Sequence, residues 1–205
     1  MNDNSFYARQ RPWLKNSLPV MVVIAWAMVL LPGCFSLERN IGEKKLYSLE
    51  ATTFPEVTST SSPLPTLLVK EFDSAPLYSS NSFVYRRDEF QFKTDYYNEF
   101  IISPQRMITA AVKQALFDTR RFSAPLAGQP ADHRLQGSVV RLYGDFRQEN
   151  RPLAVMEISL TLDAMEKKIF SKEMEINTRT PGALIAGWNI LLEEIIREFI
   201  NSLDT

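Results

Sequence analysis

The sequence has little of what most catalytic and metal sites require. Its 205 residues contain one cysteine, Cys34, and one histidine, His133. A single cysteine excludes an internal disulfide, and so few Cys and His residues do not supply a typical zinc site. The seven glycines are scattered and form no phosphate-binding loop. We therefore expect no metal, no bound cofactor and no enzymatic activity.

An excess of charge of either sign is also lacking. The chain has 23 basic and 24 acidic residues, so it lacks the basic surplus that is typical of nucleic-acid-binding proteins. Hydrophobic residues make up 45% of the sequence and charged residues 23%, which is ordinary for a packed globular domain. We expect one domain and no nucleic-acid partner. His133 stands between Asp132 and Arg134 at the start of a predicted strand, where a solvated surface histidine is expected.

One long uncharged run is present, close to the N-terminus. Residues 1–17 carry Arg9, Arg11 and Lys15 with a single acid, and residues 18–31 carry no charge. As a helix this run would be about 21 Å long, short of the roughly 30 Å hydrocarbon core of a bilayer. Its basic start and apolar centre are typical of a secretory signal peptide. It ends in Leu-Pro-Gly-Cys, which resembles the lipobox of bacterial lipoprotein signals and predicts a signal peptide over residues 1–33.

This resemblance implies that Cys34 is the site of lipid attachment. Its thiol would carry diacylglycerol, and its new amino group would carry an N-acyl chain; several chains together make a durable anchor. The alternative is an uncleaved transmembrane helix over residues 18–37, which Pro32 and Gly33 would interrupt. In lipoproteins of two-membraned bacteria, Asp after the cysteine signals inner-membrane retention. Phe35 therefore implies the periplasmic face of the outer membrane, with the inner membrane as the alternative.

The rest of the chain predicts a short lipidated tether over residues 34–44 and one α/β domain over residues 45–205. Fully extended, about ten tether residues reach at most about 35 Å, so the domain should stay close to the membrane. Patterns of alternation, turn residues and helix caps then predict a mixed, mostly antiparallel sheet with two main helices. The elements are strands over residues 45–51 and 67–73, a hairpin over residues 82–97, a helix that begins at Ser103-Pro104, a strand from His133, two further strands and a terminal helix that begins at Thr180-Pro181.

The two strands before the terminal helix alternate clearly. Met156, Ile158 and Leu160 fall on one face of the first of them, and Glu157 and Ser159 fall on the other. This period of two predicts an antiparallel pair with one face in the core and a polar face in solvent.

The order of these blocks resembles the ABC-type transport auxiliary lipoprotein family, the lipoprotein components of Mla-like and Pqi-like systems. An Ala-Pro-x-Tyr segment ends at Tyr78, a Tyr-Arg pair stands at Tyr85 and Arg86, and an aromatic stretch precedes the proline-started helix. The block ADHRLQGSVVRLYGDF, two alternating strands and a final helix follow. Where relatives often have Trp before the helix proline, this chain has Phe100. The resemblance covers roughly residues 45–203 and implies a sandwich related to anticodon-binding domains.

The resemblance also implies a function. The protein would be a non-catalytic auxiliary component of an ABC/MCE-type lipid transport system that tethers or docks the periplasmic MCE-domain protein at the outer membrane. Its partners would be that MCE-domain protein and its ABC transporter. Two alternatives stay open: a periplasmic lipid-binding carrier, with phospholipid as a direct ligand, and a regulatory or structural envelope lipoprotein such as an activator of a cell-wall synthase.

The aromatic stretch supplies the candidate docking residues. Aromatic side chains are enriched both in cores and at the centres of interfaces, so these rings either fill the core beneath the first helix or form a surface for a partner. The candidates for partner docking are Tyr85, Arg86, Tyr96, Tyr97 and Phe100.

Overall fold

A computed structural model describes residues 42–51, 54 and 63–203. The predicted signal peptide, Cys34 and most of the loop that follows the first strand lie outside these residues. The described elements are β1 (Lys45–Tyr47), β2 (Leu67–Val69), β3 (Asp73–Ser74), a 3-10 turn (Pro76–Tyr78), β4 (Ser82–Arg86), β5 (Phe92–Phe100), α1 (Pro104–Asp118), β6 (His133–Asp145), β7 (Leu153–Leu162), β8 (Lys168–Glu175) and α2 (Pro181–Asn201).

The strands form one mixed sheet in the order β1-β5-β4-β6-β7-β8, and β2 and β3 also pair with β6. The long ladders, β6 with β7 and β7 with β8, are antiparallel. Three short segments, β2, β3 and β4, lie one after another along the other edge of β6 and run parallel to it. The prediction of a single α/β domain with a mixed sheet and two main helices is confirmed. Strands predicted over residues 45–51 and 67–73 are shorter, ending at Tyr47 and Val69.

Both helices begin where the sequence predicts them. Pro104 and Pro181 each stand in the first helical turn, a position where a missing backbone N–H costs nothing. The side-chain oxygen of Thr180 accepts a hydrogen bond from the backbone N–H of Ala183 and caps α2. Ser103 precedes α1 without a side-chain cap. The helix α2 packs on β7 and β8, and α1 packs on α2 and β6, so the helices form one layer over the sheet.

The core lies between this helical layer and the sheet. Trp188 of α2 is fully buried and packs edge-on against Phe83, with ring centroids 5.2 Å apart. Its indole N–H donates a hydrogen bond to the carbonyl of Val155 on β7, which satisfies its one polar atom inside the core. The helix, the hairpin and the central sheet are therefore joined at this one side chain.

The polar face of β7 corrects a sequence prediction. Glu157 and Ser159 were expected in solvent, but they are only 9% and 2% exposed. Glu157 accepts hydrogen bonds from the guanidinium of Arg141 on the neighbouring strand, and Tyr78 of the 3-10 turn stacks on Tyr143 of β6. The second face is therefore partly covered by an ion pair and a turn, neither of which follows from alternation along β7 alone.

Candidate interaction site on the β4–β5 hairpin

The hairpin β4–β5 contains a large irregularity in strand pairing. Val84 pairs with Thr94 and Ser82 pairs with Glu99, so one residue of β4 lies opposite residues 95–98 of β5. Three extra residues are thus inserted into β5. We call residues 95–98 the tyrosine bulge. Such insertions locally disrupt the ladder and turn side chains away from the sheet.

Asp95 holds the tyrosine bulge in shape. Its Oδ1 accepts hydrogen bonds from the backbone N–H groups of Tyr97 and Asn98, at 2.8 and 3.1 Å. Its Oδ2 accepts from the side-chain amide of Asn98 at 2.8 Å and from the hydroxyl of Tyr85 at 2.6 Å. Asn98 in turn accepts a hydrogen bond from the hydroxyl of Tyr47 on β1. One carboxylate therefore fixes backbone groups that the interrupted ladder leaves without strand partners.

The protonation states support this arrangement. Burial raises the pKa of Tyr85 far above its ordinary value, and the hydrogen bond to Asp95 raises it further, so the phenol stays a donor. Burial alone would raise the pKa of Asp95, but the hydrogen bonds from Tyr85, Asn98 and the backbone outweigh it and lower that pKa. Asp95 is therefore an anionic acceptor at neutral pH.

The bulge presents two exposed tyrosines. Tyr96 is 63% exposed and Tyr97 44% exposed, and their rings meet edge to face with centroids 5.1 Å apart. The ammonium of Lys44 lies 5.0 Å from the ring centroid of Tyr96 and forms an ion pair with Glu99 at 2.7 Å. A side chain at Gly42 would lie 3.4 Å from the ring of Tyr97. Two aromatic rings thus stand in solvent beside the first described residues of the chain.

Three predicted docking residues lie elsewhere. Tyr85 is 7% exposed and stacks on Phe146, with ring centroids 5.2 Å apart. Phe100 is 2% exposed and packs against Phe83 and Trp188. The prediction that these two rings face a partner is therefore wrong, because both fill the core under the helices. Tyr85 instead supports the bulge through Asp95.

Arg86 is engaged within its own hairpin. Its guanidinium donates a hydrogen bond to the carbonyl of Glu89 and lies 5.7 Å from the centroid of the Phe92 ring. The side chain is half-buried at the start of the hairpin turn. The structure thus brings together Tyr96 and Tyr97 as an exposed pair and leaves Arg86 occupied within the turn.

Asp95 and Asn98, the two residues that shape the bulge, were not among the site residues predicted from the sequence. Asp and Asn commonly accept hydrogen bonds from backbone groups two or three residues further on. An Asp three residues before an Asn inside an aromatic strand was therefore a readable signal of an interrupted ladder. The aromatic periodicity concealed it, because it favours an uninterrupted strand.

The lone histidine lies apart from this hairpin. His133 is partly exposed, and its Nδ1 lies 2.7 Å from Oδ2 of Asp163. Asp163 also accepts a hydrogen bond from the backbone N–H of Arg134, so the pair ties the start of β6 to the end of β7. The absence of enzymatic activity stays a prediction.

Within 42–51, 54 and 63–203, no helix has the length and apolar character needed to cross a bilayer. The uncharged run over residues 18–31 and Cys34 lie outside that part of the chain, so the predicted lipid anchor stays a prediction.

Comparison with known proteins identifies the fold. Neither family models nor curated protein sequences give a match. The crystal structure of a Xanthomonas campestris protein, described under the family model DUF330, matches with a TM-score of 0.66 at 17% identity, over 76% of this chain and 92% of that chain. A crystal structure of an uncharacterised protein matches with a TM-score of 0.58 at 14% identity, over 78% and 96%. The protein thus has the α/β fold found in the DUF330 structure; identities this low establish the fold alone.

Proposed function

We propose that the protein is an envelope lipoprotein, anchored through Cys34 at the periplasmic face of the outer membrane, that docks a partner protein without catalysing a reaction. Following the family resemblance, the partner is the periplasmic MCE-domain protein of an ABC-type lipid transport system. The protein would then position that machinery at the membrane in which it is anchored.

The tyrosine bulge is the observation that carries this proposal. Tyr96 and Tyr97 are exposed although Asp95 fixes the bulge that holds them, accepting two hydrogen bonds from its backbone and two from the side chains of Asn98 and Tyr85. Exposed aromatics on a rigid frame are favourable for binding, because little backbone freedom is lost when a partner covers them. Tyrosine is also among the residues that dominate the binding energy of protein interfaces.

The position of the bulge fits a membrane-proximal docking role. Gly42 lies against Tyr97, and Lys44 lies over Tyr96. Gly42 is eight positions after Cys34, which limits the connecting chain to about 28 Å. A partner bound at the bulge would therefore be held near the anchoring membrane. The fold shared with the DUF330 structure is compatible with this role.

Loss of the lipid anchor tests the first half of the proposal. Cys34→Ala removes the thiol that would carry diacylglycerol, so cells fed labelled palmitate should no longer label the protein. A wild-type protein that takes up no label would contradict a lipoprotein. A variant labelled as strongly as the wild type would contradict Cys34 as the attachment site.

A crosslinking pull-down from whole envelopes tests the second half. Wild-type protein should recover an MCE-domain protein, and the double variant Tyr96→Ala/Tyr97→Ala should recover at least about tenfold less, since hot-spot truncations commonly exceed 2 kcal/mol. Phe90→Ala is the matched control, because Phe90 is 89% exposed in the hairpin turn and truncation there should change nothing. Recovery of cell-wall enzymes alone would favour the regulatory alternative and overturn the transport role.

A further inference from the structure

The sheet ends on one side at β8, and the outer edge of this strand is free. β8 pairs with β7 along its whole length without a register shift, and no other described strand pairs with it. Its eight residues extend over about 27 Å. The opposite edge of the sheet is β1, which has three residues and lies beside the tyrosine bulge. A long, regular edge such as that of β8 offers a template for pairing with a further strand.

Alternate residues of β8 turn their backbone groups toward this edge. The backbone N–H of Ile176 donates to the carbonyl of Pro152, which marks a hydrogen-bonded position of the antiparallel ladder with β7. Such positions recur at every second residue, so the residues between them turn N–H and C=O outward. These outward residues are Ile169, Ser171, Glu173 and Glu175, and all of them are exposed. The spacing of their backbone groups matches that of another extended chain.

The lysines of β8 do not shield this edge. Charged side chains, lysine above all, commonly protect edge strands from further pairing. Lys172 forms an ion pair with Glu198 of α2 at 2.6 Å, and Lys168 donates to the carbonyl of Ser202 at 3.1 Å. Both ammonium groups are therefore held at the helix. β8 also contains no proline and no bulge.

The face of β8 that points away from the helices is acidic and partly apolar. Phe170 packs against α2, so the odd-numbered residues lie on the other face. Ile169 is 61% exposed there. Glu173 forms no ion pair with another described residue, and Glu175 contacts Arg151 at 3.2 Å in an exposed pair. Because exposed pairs contribute little, basic side chains on an added strand would compete for both carboxylates.

A second copy of β8 does not match this face. Residues directly opposite each other in an antiparallel pair lie on the same face of the sheet. Both lysines of β8 lie on the face toward α2, so a second copy would place no base opposite Glu173 or Glu175. A register centred on Glu173 would bring two carboxylates directly opposite each other, which is destabilising.

We infer that β8 pairs with an extended strand of another protein, one that presents basic side chains opposite Glu173 and Glu175 and an apolar side chain opposite Ile169. Backbone hydrogen bonds hold the added strand along the edge, and the side chains set its register and the choice of partner. This interaction goes beyond the proposed function. It lies at the edge of the sheet opposite the tyrosine bulge and involves neither of its exposed tyrosines.

Two synthetic octapeptides test the inference on the full-length protein in detergent. The basic peptide, Lys-Val-Lys-Thr-Thr-Val-Val-Thr, runs antiparallel to β8 and places its lysines opposite Glu175 and Glu173 and a valine opposite Ile169. The acidic peptide has glutamate in place of both lysines. With a fluorescent label, the basic peptide should bind at least about tenfold more tightly, since two favourable pairs replace two like-charged ones. Bound peptide should slow hydrogen exchange at the outward amides of β8 and leave the tyrosine bulge unchanged.

Matched variants separate strand pairing from charge. Ser171→Pro removes one outward N–H at a position where an edge strand tolerates proline, and it should weaken binding of the basic peptide at least about tenfold. Ser171→Ala loses the same hydroxyl but keeps the N–H, so its affinity should equal that of the wild type. Glu173→Lys reverses one of the two charge pairs and should bring the affinities for the two peptides to within about twofold of each other.

Three results would overturn the inference: no preference for the basic peptide, an affinity unaffected by Ser171→Pro, or slowed exchange outside β8. A dimer that Ser171→Pro dissociates, in a protein that binds neither peptide, would also overturn it and would assign the edge to a second copy. Partner recovery through Tyr96 and Tyr97 does not enter these readouts. A negative result at β8 would therefore leave the docking proposal standing.

Discussion

Asp95 decides the shape of the tyrosine bulge. It accepts four hydrogen bonds with its two oxygens, and two of them come from backbone groups of Tyr97 and Asn98. Without an acceptor at this position, those groups and the hydroxyl of the buried Tyr85 would lose their partner. Satisfying such groups is what makes a long insertion into a strand compatible with a folded hairpin.

Replacement of Asp95 tests this role. Asp95→Ala should lower the free energy of unfolding by about 2 kcal/mol, since hydrogen bonds to a charged acceptor are lost and a buried donor is left unpaired. Tyr85→Phe removes only one of the four bonds and should cost about 1 kcal/mol. Urea denaturation at neutral pH measures both. A cost for Tyr85→Phe equal to that for Asp95→Ala would contradict a central role of the carboxylate.

The contribution of Asp95 also depends on pH. Its pKa in the folded protein lies below the unfolded value of about 3.9, so its stabilisation is fully present above that value. It is lost as pH falls through the lower, folded pKa. The stability gap between wild type and Asp95→Ala should therefore be constant near neutral pH and close on strong acidification.

At the residue scale, the sequence predicted the aromatic hairpin. It did not predict which of the aromatic rings are buried and which are exposed. Periodicity places Phe83 and Tyr85 on one face, but burial of Phe100 depends on Trp188, which is 88 residues further along the chain. Exposure of Tyr96 and Tyr97 depends on the bulge, which shifts the alternation of β5. Contacts between distant segments therefore decided which candidates were available to a partner.

At the scale of elements, α2 depends on a close approach to the sheet. Gly187 faces β7, and a Cβ there would lie 2.9 Å from Cβ of Ala154 and 3.0 Å from Cγ2 of Ile176. Ala154 has no side-chain torsion to rotate, and Ile176 is a buried β-branched side chain with restricted χ1, so neither contact atom can move away easily. The glycine thus permits the spacing between the helix and the sheet at this point.

A pair of glycine substitutions tests that spacing. Gly187→Ala should destabilise the protein by about 1–2 kcal/mol, because overpacking outweighs the gain in helix propensity. Gly182→Ala is the control, since a Cβ there meets nothing within 4 Å, and it should stabilise by about 0.5–1 kcal/mol. Thermal unfolding compares the two. A Gly187→Ala protein as stable as the wild type would refute the close approach.

The elements that the sequence predicted well share a local cause. Ser103-Pro104 and Thr180-Pro181 mark helix starts through the fixed geometry of proline, which needs no information from the rest of the chain. The polar face of β7 was predicted poorly. Burial of Glu157 depends on its ion pair with Arg141 from another strand. The alternation of residues along β7 does not predict an ion-pair partner on a neighbouring strand.

At the scale of the whole molecule, the order of elements was predictable and their pairing was not. Strand β1 pairs with β5, and β2, β3 and β4 share one edge of β6. These pairings join segments about 50 or more residues apart, so local patterns do not encode them. The sheet brings β1 and the first described residues beside the tyrosine bulge, which links the predicted tether to the candidate docking surface.

The central claim is that Tyr96 and Tyr97 contact a periplasmic partner, and photocrosslinking in living cells tests it most directly. A photoreactive phenylalanine analogue replaces Tyr96, and in a matched strain it replaces Phe90, which is also exposed but lies in the hairpin turn. We expect one discrete protein adduct from position 96, containing an MCE-domain protein, and none from position 90. Equal adducts from both positions, or no protein adduct from position 96, would contradict it.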